Sequence, residues 1–254
     1  MPEERPPEAS RGFATRAIHA GRTPEIDQDT PSVPIYQTST FRFETSEHYA
    51  DTISFRQPGY TYTRGYGNPT LLAFERAMAE LEGTASALSF ASGMAAIHTV
   101  VTTLAGAGDR IVASPELYGG TYSLFATVLP RYGIEVTFVD AHDVDAVRSV
   151  LSGAALFYCE TIANPNVTVA DLEALGAACR EAGVPAVVDN TFASPYLCNP
   201  AAYGFSFVLH SATKYVGGHN DLIGGVACAS DDEHTTPPMR SWCPPMYFVA
   251  ECST

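Results

Sequence analysis

The chain has 254 residues, 46% of them hydrophobic, with a formal net charge of −14. That acidity excludes a nucleic-acid phosphate backbone as partner, which needs a basic footprint, and also a basic helix lying on a membrane surface. There is no apolar run of about 18 residues to span a bilayer, and the charged, proline-rich start Met1-Pro2-Glu3-Glu4-Arg5-Pro6-Pro7 lacks the apolar centre of a secretory signal.

The six cysteines form no CxxC pair, and the seven histidines form no HxxxH or HExxH pattern. No metal site is expected. The reading is a reduced, cytoplasmic protein in which Cys159, Cys179 and Cys228 are small core residues.

Along the chain, residues 1–60 read as an N-terminal arm with a disordered, proline-rich start. Pro24, Pro31, Pro34 and Pro58 interrupt its periodicity, so it is expected to pack on something other than a core of its own. From 61 onward the pattern alternates. A helix is predicted from Pro69 or Thr70 to Gly83, because Leu71, Leu72, Phe74, Met78 and Leu81 recur at helical spacing. A strand follows over 85–90, a small-residue helix over 94–104 and a strand over 109–114. Then come helix 121–132, strand 135–139, helix 144–151, strand 155–159, helix 169–182, strand 185–189, strand 205–210 and a last apolar strand over 223–227. Buried strands separated by helices indicate an α/β fold with a mostly parallel sheet covered on both faces. Ligands in such folds bind beyond the carboxyl ends of the strands. No GxGxxG follows a strand, which argues against a dinucleotide-binding oxidoreductase. After Ser230 the alternation stops, and 231–254 is an atypical tail with four prolines and the sole tryptophan.

Lys214 is the sole lysine, the other thirteen basic residues being arginines. A lysine amine can lose its proton, attack a carbonyl and form a Schiff base, which arginine cannot. Asp189 ends the strand Ala186-Val187-Val188, where a carboxylate needs a charged or hydrogen-bonding partner. Ser92-Gly93-Met94 lies between a strand and a helix, so its N–H groups make an anion site. Ser211 and Thr213 flank the lysine with hydroxyls. Tyr118 precedes Gly119-Gly120, where a flat group can approach the backbone. An amine, an acid, a phosphate cradle and a stacking ring are together what pyridoxal 5'-phosphate (PLP) asks of a protein.

In these motifs the chain resembles the cysteine/methionine metabolism family of PLP enzymes, of fold type I. The motifs are Tyr62-Thr63-Arg64 with Gly67-Asn68-Pro69-Thr70, Ser92-Gly93-Met94-Ala95-Ala96, Tyr118-Gly119-Gly120-Thr121, Glu160-Thr161-Ile162-Ala163-Asn164-Pro165, Val188-Asp189-Asn190-Thr191-Phe192, and Ser211-Ala212-Thr213-Lys214-Tyr215 with Gly217-Gly218-His219. The likeness covers about 12–230. It implies a large PLP-binding α/β domain over 61–230 with a mostly parallel seven-stranded sheet. It further implies that Lys214 carries the cofactor, that Asp189 pairs with the ring nitrogen, and that Tyr118 stacks on the ring. Gly93, Met94, Ser211 and Thr213 would hold the phosphate, and Asn164 would sit near the ring hydroxyl. Tyr62 and Arg64 would complete the site of a neighbouring subunit, making a homodimer or homotetramer.

The chemistry implied is γ-elimination or γ-replacement on sulfur-containing or O-acylated homoserine amino acids, with Lys214 moving protons and Tyr118 and Tyr62 assisting. Gly120 stands where many methionine γ-lyases carry cysteine. Family members usually continue into a smaller C-terminal domain that supplies an arginine for the substrate carboxylate. The change at 231 therefore reads as a frameshift or truncation, with a natural short form or a non-catalytic PLP-binding pseudoenzyme as the alternatives.

Overall fold

The computed structural model describes residues 11–23, 26, 30–54 and 56–230. Its strands are β1 (Ser86–Phe90), β2 (Arg110–Ala113), β3 (Glu135–Phe138), β4 (Leu156–Glu160), β5 (Ala186–Asp189), β6 (Phe207–His210) and β7 (Gly225–Ala229). They form one seven-stranded sheet in the order β1-β7-β6-β5-β4-β2-β3. The pairs β2–β3, β2–β4, β4–β5 and β5–β6 are parallel, whereas β7 runs antiparallel to both β1 and β6. The helices are α1 (Phe13–His19), α2 (Ser46–Ile53), α3 (Thr63–Tyr66), α4 (Pro69–Glu82), α5 (Gly93–Leu104), α6 (Gly119–Ser123), α7 (Val144–Leu151), α8 (Leu172–Ala182) and α9 (Ser194–Leu197).

Local chemistry explains most of these boundaries. The Asn68 side chain accepts the Thr70 N–H at 2.9 Å, Pro69 takes the first helical position, and Gly83 stops α4 in the left-handed region at φ 70°. Asp143 and Asp171 cap α7 and α8, each accepting an N–H at 3.0 Å three residues on. This cap moves the start of α8 to Leu172 from the predicted Val169, which instead pairs with Ile162 in a bridge. The helix predicted over 121–132 begins earlier, as α6, and passes into a π-helical turn (Leu124–Val128) and a 3-10 turn (Leu129–Tyr132). Pro130 causes the break, since it has no N–H and its ring crowds the preceding turn. The last strand lies two residues later than predicted, because pairing with β1 sets Phe90 opposite Gly225 and Ser86 opposite Ala229.

Both sheet faces are buried. Phe157, Cys159, Val188, Val208 and Cys228 pack with Met78, Leu151, Leu175 and Cys179 on one side. Leu156, Tyr158, Val187, Phe207 and Leu209 pack with Ile97, Val101, Phe125 and Leu129 on the other. Adjacent residues of one strand thus enter different clusters, which is why the strands read as continuous apolar runs rather than alternating ones. The arm is not wholly separate from this frame. Arg16 Nη1 donates to the Glu80 carbonyl at 3.2 Å, and a Cβ on Gly21 would lie 2.0 Å from the Ala73 carbonyl, so the chain around α1 rests on α4. The expected disordered start and the atypical tail fall in segments (1–10 and 231–254) outside the described residues. Among the described residues no helix is long and apolar enough to cross a membrane.

One edge of the sheet collects the residues of interest. There Phe90 faces Gly225, Val226 faces His210, Leu209 faces Asp189, and Asp189 faces Glu160. The parallel strands all end on this edge, and β7 begins on it.

Candidate active site

The helix start after β1 is pressed against the turn after β6. Ser92 caps α5, its hydroxyl accepting the Ala95 N–H at 3.1 Å. A Cβ on Gly93 would lie 2.7 Å from Ser211 Cβ and 2.9 Å from Ser211 Cα. A Cβ on Gly225 would lie 2.2 Å from the Ser92 carbonyl oxygen and 2.7 Å from Gly93 N. Glycine at both positions lets three backbone segments meet. The N–H groups of Gly93 and Met94 precede the first intrahelical bonds and face outward beside the Ser211 hydroxyl, which suits an anion.

Lys214 follows on an exposed turn, its N–H donating to the Ser211 carbonyl at 3.0 Å and its carbonyl accepting from Gly218 at 2.8 Å. Thr213 is engaged elsewhere than the sequence suggests. Its hydroxyl donates to the Gly224 carbonyl at 3.3 Å and accepts the Gly224 N–H at 3.1 Å. That ties the lysine turn to the start of β7, and it leaves Ser211 as the better placed hydroxyl for a phosphate.

Asp189 ends β5. Its carboxylate accepts the Thr191 N–H at 2.9 Å, and the Thr191 hydroxyl in turn accepts the Ser211 N–H at 2.8 Å. Burial raises the Asp189 carboxyl above its ordinary range, while the two Thr191 contacts and the nearby His210 pull it back down. On the adjoining strand Glu160 stands in register beside it. One Glu160 oxygen accepts the Tyr118 N–H at 2.6 Å and the other accepts the Asn164 N–H at 3.1 Å. Burial, then the Asp189 charge, push the Glu160 carboxyl up to about 7.

Tyr118 opens α6 with its ring lying back over Gly120, where a Cβ would come within 2.6 Å of the ring and 3.3 Å of Met94 Sδ. Tyr118 is 49% exposed, which leaves it accessible to a ligand. Glycine at 120 leaves room for this placement of Tyr118, and a larger side chain there would shift the ring. Glu116 braces the same loops further out. It accepts from Asn166 Nδ2 at 2.8 Å and from the Thr168 hydroxyl at 2.5 Å, bonds that hold its carboxyl below the usual range.

Lys214, Asp189, Gly93, Met94, Ser211, Thr213, Tyr118 and Asn164 all sit on or just beyond this one sheet edge. Tyr62 and Arg64 do not join them. Both are exposed on α3 and its approach, where Thr40 pairs with Tyr62, and among the described residues their side chains make no hydrogen bond or ion pair.

Two groups escaped the sequence reading. Glu160 was visible as an acid at a strand's carboxyl end, the same signal that marked Asp189. The other is a buried network on the opposite side of the strand ends. His210 Nε2 donates to Glu82 Oε1 at 2.6 Å, Asn190 Nδ2 donates to the same oxygen at 2.9 Å, and Thr161 donates to Asn190 Oδ1 at 2.8 Å. The one sequence clue to Glu82 was an acid in the last turn of a helix, where the dipole disfavours it.

An amine just beyond a parallel strand, at the same end of the sheet as a strand-end carboxylate and a glycine-lined helix start, fits PLP in chemical kind: a group suited to the aldehyde, one to the ring nitrogen and one to the phosphate are all present there. With its antiparallel seventh strand, the sheet is that of the large domain of PLP-dependent enzymes of fold type I. The chain belongs to the Cys/Met metabolism PLP-dependent enzyme family, whose model matches residues 14–242. It is 44% identical over 223 residues to the "Probable cystathionine gamma-synthase" of Herpetosiphon aurantiacus, covering 87% of this chain and 67% of that one. It is 43% identical over 223 residues to the L-methionine gamma-lyase of Porphyromonas gingivalis, covering 87% and 55%. A solved Campylobacter jejuni structure that carries an N'-pyridoxyl-lysine-5'-monophosphate superposes with a TM-score of 0.82 at 32% identity, covering 88% of this chain and 55% of that one. The chain spans about half to two thirds of the length of the curated relatives it matches.

Proposed function

We propose that this chain supplies the cofactor half of an enzyme that performs γ-elimination or γ-replacement on sulfur-containing or O-acylated homoserine amino acids. The observation that carries the proposal is the contact of Gly93 with Ser211, which brings the helix start, the Lys214 turn and, through Thr191, the Asp189 carboxylate to one place. Relatives named as cystathionine gamma-synthase, homocysteine synthase, methionine gamma-lyase and O-acetyl-L-homoserine sulfhydrylase support the substrate class.

When bound, the cofactor supplies an electron sink for charge developing at the substrate's α carbon. The remaining work falls to the chain. The Lys214 amine would hold the cofactor's aldehyde, and as a free amine it would move protons at the substrate's α and β carbons. Asp189 would accept the ring N–H and keep that nitrogen cationic. Gly93, Met94 and Ser211 would donate to the phosphate, with Thr213 fixing the turn that presents Ser211. Tyr118 would stack on the ring and Asn164 would meet its hydroxyl.

A second copy of the chain would bring Tyr62 and Arg64, which are exposed, to this site. Tyr196, Leu197, Tyr215 and Ile223 are 66–77% exposed and would be covered by it. Mixing protein with PLP should give a visible absorbance band that borohydride traps covalently on Lys214. Lys214→Ala should form no trapped adduct. A folded protein with no band, or an unchanged adduct in the variant, would overturn the reading. Release of a 2-oxo acid from cystathionine or methionine, against consumption of an added thiol, then separates elimination from replacement.

A further inference from the structure

Glu160 has no part in the chemistry set out above, yet it is buried at the centre of the candidate site. Its two oxygens are divided between two loops, one accepting the Tyr118 N–H at 2.6 Å and the other the Asn164 N–H at 3.1 Å. Those loops leave β2 and β4 and carry the ring-stacking and ring-hydroxyl groups. A carboxylate has acceptor sites on both oxygens, whereas a glutamine amide or a protonated carboxyl has one good acceptor and one donor. The full double contact therefore belongs to the anion. A buried anion with only two N–H partners is costly, the more so beside a second carboxylate.

We propose that Glu160 is a positioning residue for the cofactor: its carboxylate clamps the Tyr118 and Asn164 loops at a set spacing beside Asp189, and this clamp tightens when Glu160 ionises. The proposal rests on the reading of Asp189, Tyr118 and Asn164 given above. The titratable groups coupled to Glu160 are Asp189 on β5, Tyr158 on its own strand and, on the other face of the sheet, Cys159. Asp189 is the partner that opposes ionisation, and with its carboxyl pushed up to about 7 Glu160 titrates in the physiological range. A cationic ring nitrogen placed against Asp189 cancels that opposition, so cofactor binding and Glu160 ionisation favour each other.

The test compares PLP affinity of unsubstituted protein and Glu160→Gln at pH 6 and pH 8. At pH 6 the protonated acid resembles glutamine, and the two proteins should bind within about threefold of each other. At pH 8 the variant should bind about tenfold more weakly or worse, the equivalent of one pH unit of linkage. The same ratio at both pH values would mean a merely structural residue and would overturn the proposal. The PLP titration and the Glu160→Gln comparison fail separately. No visible band in the unsubstituted protein sinks the site reading, whereas a normal band with a constant ratio sinks only the clamp. If the variant does not fold, amide exchange of the unsubstituted protein asks the same question. Protection of the Tyr118 and Asn164 amides, taken relative to amides of the neighbouring strands so that the change in global stability cancels, should fall together from pH 8 to pH 6 after correction for intrinsic rates, and independent or unchanged relative protection would overturn the clamp.

Discussion

Gly93→Ala is the sharpest probe of how the phosphate cradle is built. The added methyl would sit 2.7 Å from Ser211 Cβ and 2.9 Å from Ser211 Cα, where carbon atoms ordinarily keep about 3.5–4.0 Å. Relief requires moving the start of α5 away from the Lys214 turn by roughly 0.8 Å. Neither side yields easily. Ser211 N is bonded to the Thr191 hydroxyl, and Ser92 is backed by Gly225, where a Cβ would already lie 2.2 Å from the Ser92 carbonyl oxygen. Overpacking of this kind costs about 1–3 kcal/mol. Because the displaced groups are the proposed phosphate donors, the cost should appear as a roughly 10- to 100-fold rise in the Kd for PLP. Absorbance titration with PLP measures it, and Tm of the cofactor-free protein reports the part that falls on folding. Gly106→Ala is the control, just beyond the other end of the same helix, with its nearest atom, Asp109 Oδ2, at 3.8 Å. It should bind PLP normally. Unchanged affinity in Gly93→Ala, or an equal loss in Gly106→Ala, would refute the account of the cradle.

Glu160 also makes a stability prediction for the cofactor-free protein. Its carboxyl is raised to about 7 in the fold against an ordinary 4.5, so the unfolded chain ionises first. Stability should fall as pH rises from about 4.5 to about 7 and level off above, a loss of about 3 kcal/mol that urea unfolding of Glu160→Gln should lack. An identical pH slope in the two proteins would contradict the burial argument. Glu82→Leu leaves His210 Nε2 and one Asn190 N–H without their buried acceptor, whereas Asn199 keeps the Leu81 and Pro195 carbonyls. It should cost roughly 3–5 kcal/mol in urea unfolding, and a loss under about 1 kcal/mol would show that water replaces the carboxylate.

Much of this protein was written locally. The order of strands and helices followed from apolar runs and helical spacing, and Pro69 and Gly83 marked ends that the backbone respects. The candidate site was legible to the extent that each of its groups sits at the end of a strand or the start of a helix. Lys214, Asp189 and Gly93 could therefore be singled out from their own neighbours in sequence. Where local reading missed, a longer-range demand had won: Pro130 broke a helix whose apolar period continued, and pairing with β1 moved β7.

Tertiary structure decided what no window of sequence contains. The strand order sets β5 beside both β4 and β6, so Asp189 has Glu160 on one side and the Lys214 turn on the other. The His210 contact with Glu82 joins residues 128 apart in the chain. Whether a carboxylate such as Glu160 ionises near neutral pH depends on burial and on a charge from another strand, and these exist only once the sheet has formed. Residue types and local periods thus determined which chemical groups were present and roughly where elements began. Packing of distant segments decided which groups meet, because contact and dielectric environment are properties of the folded arrangement and not of the chain.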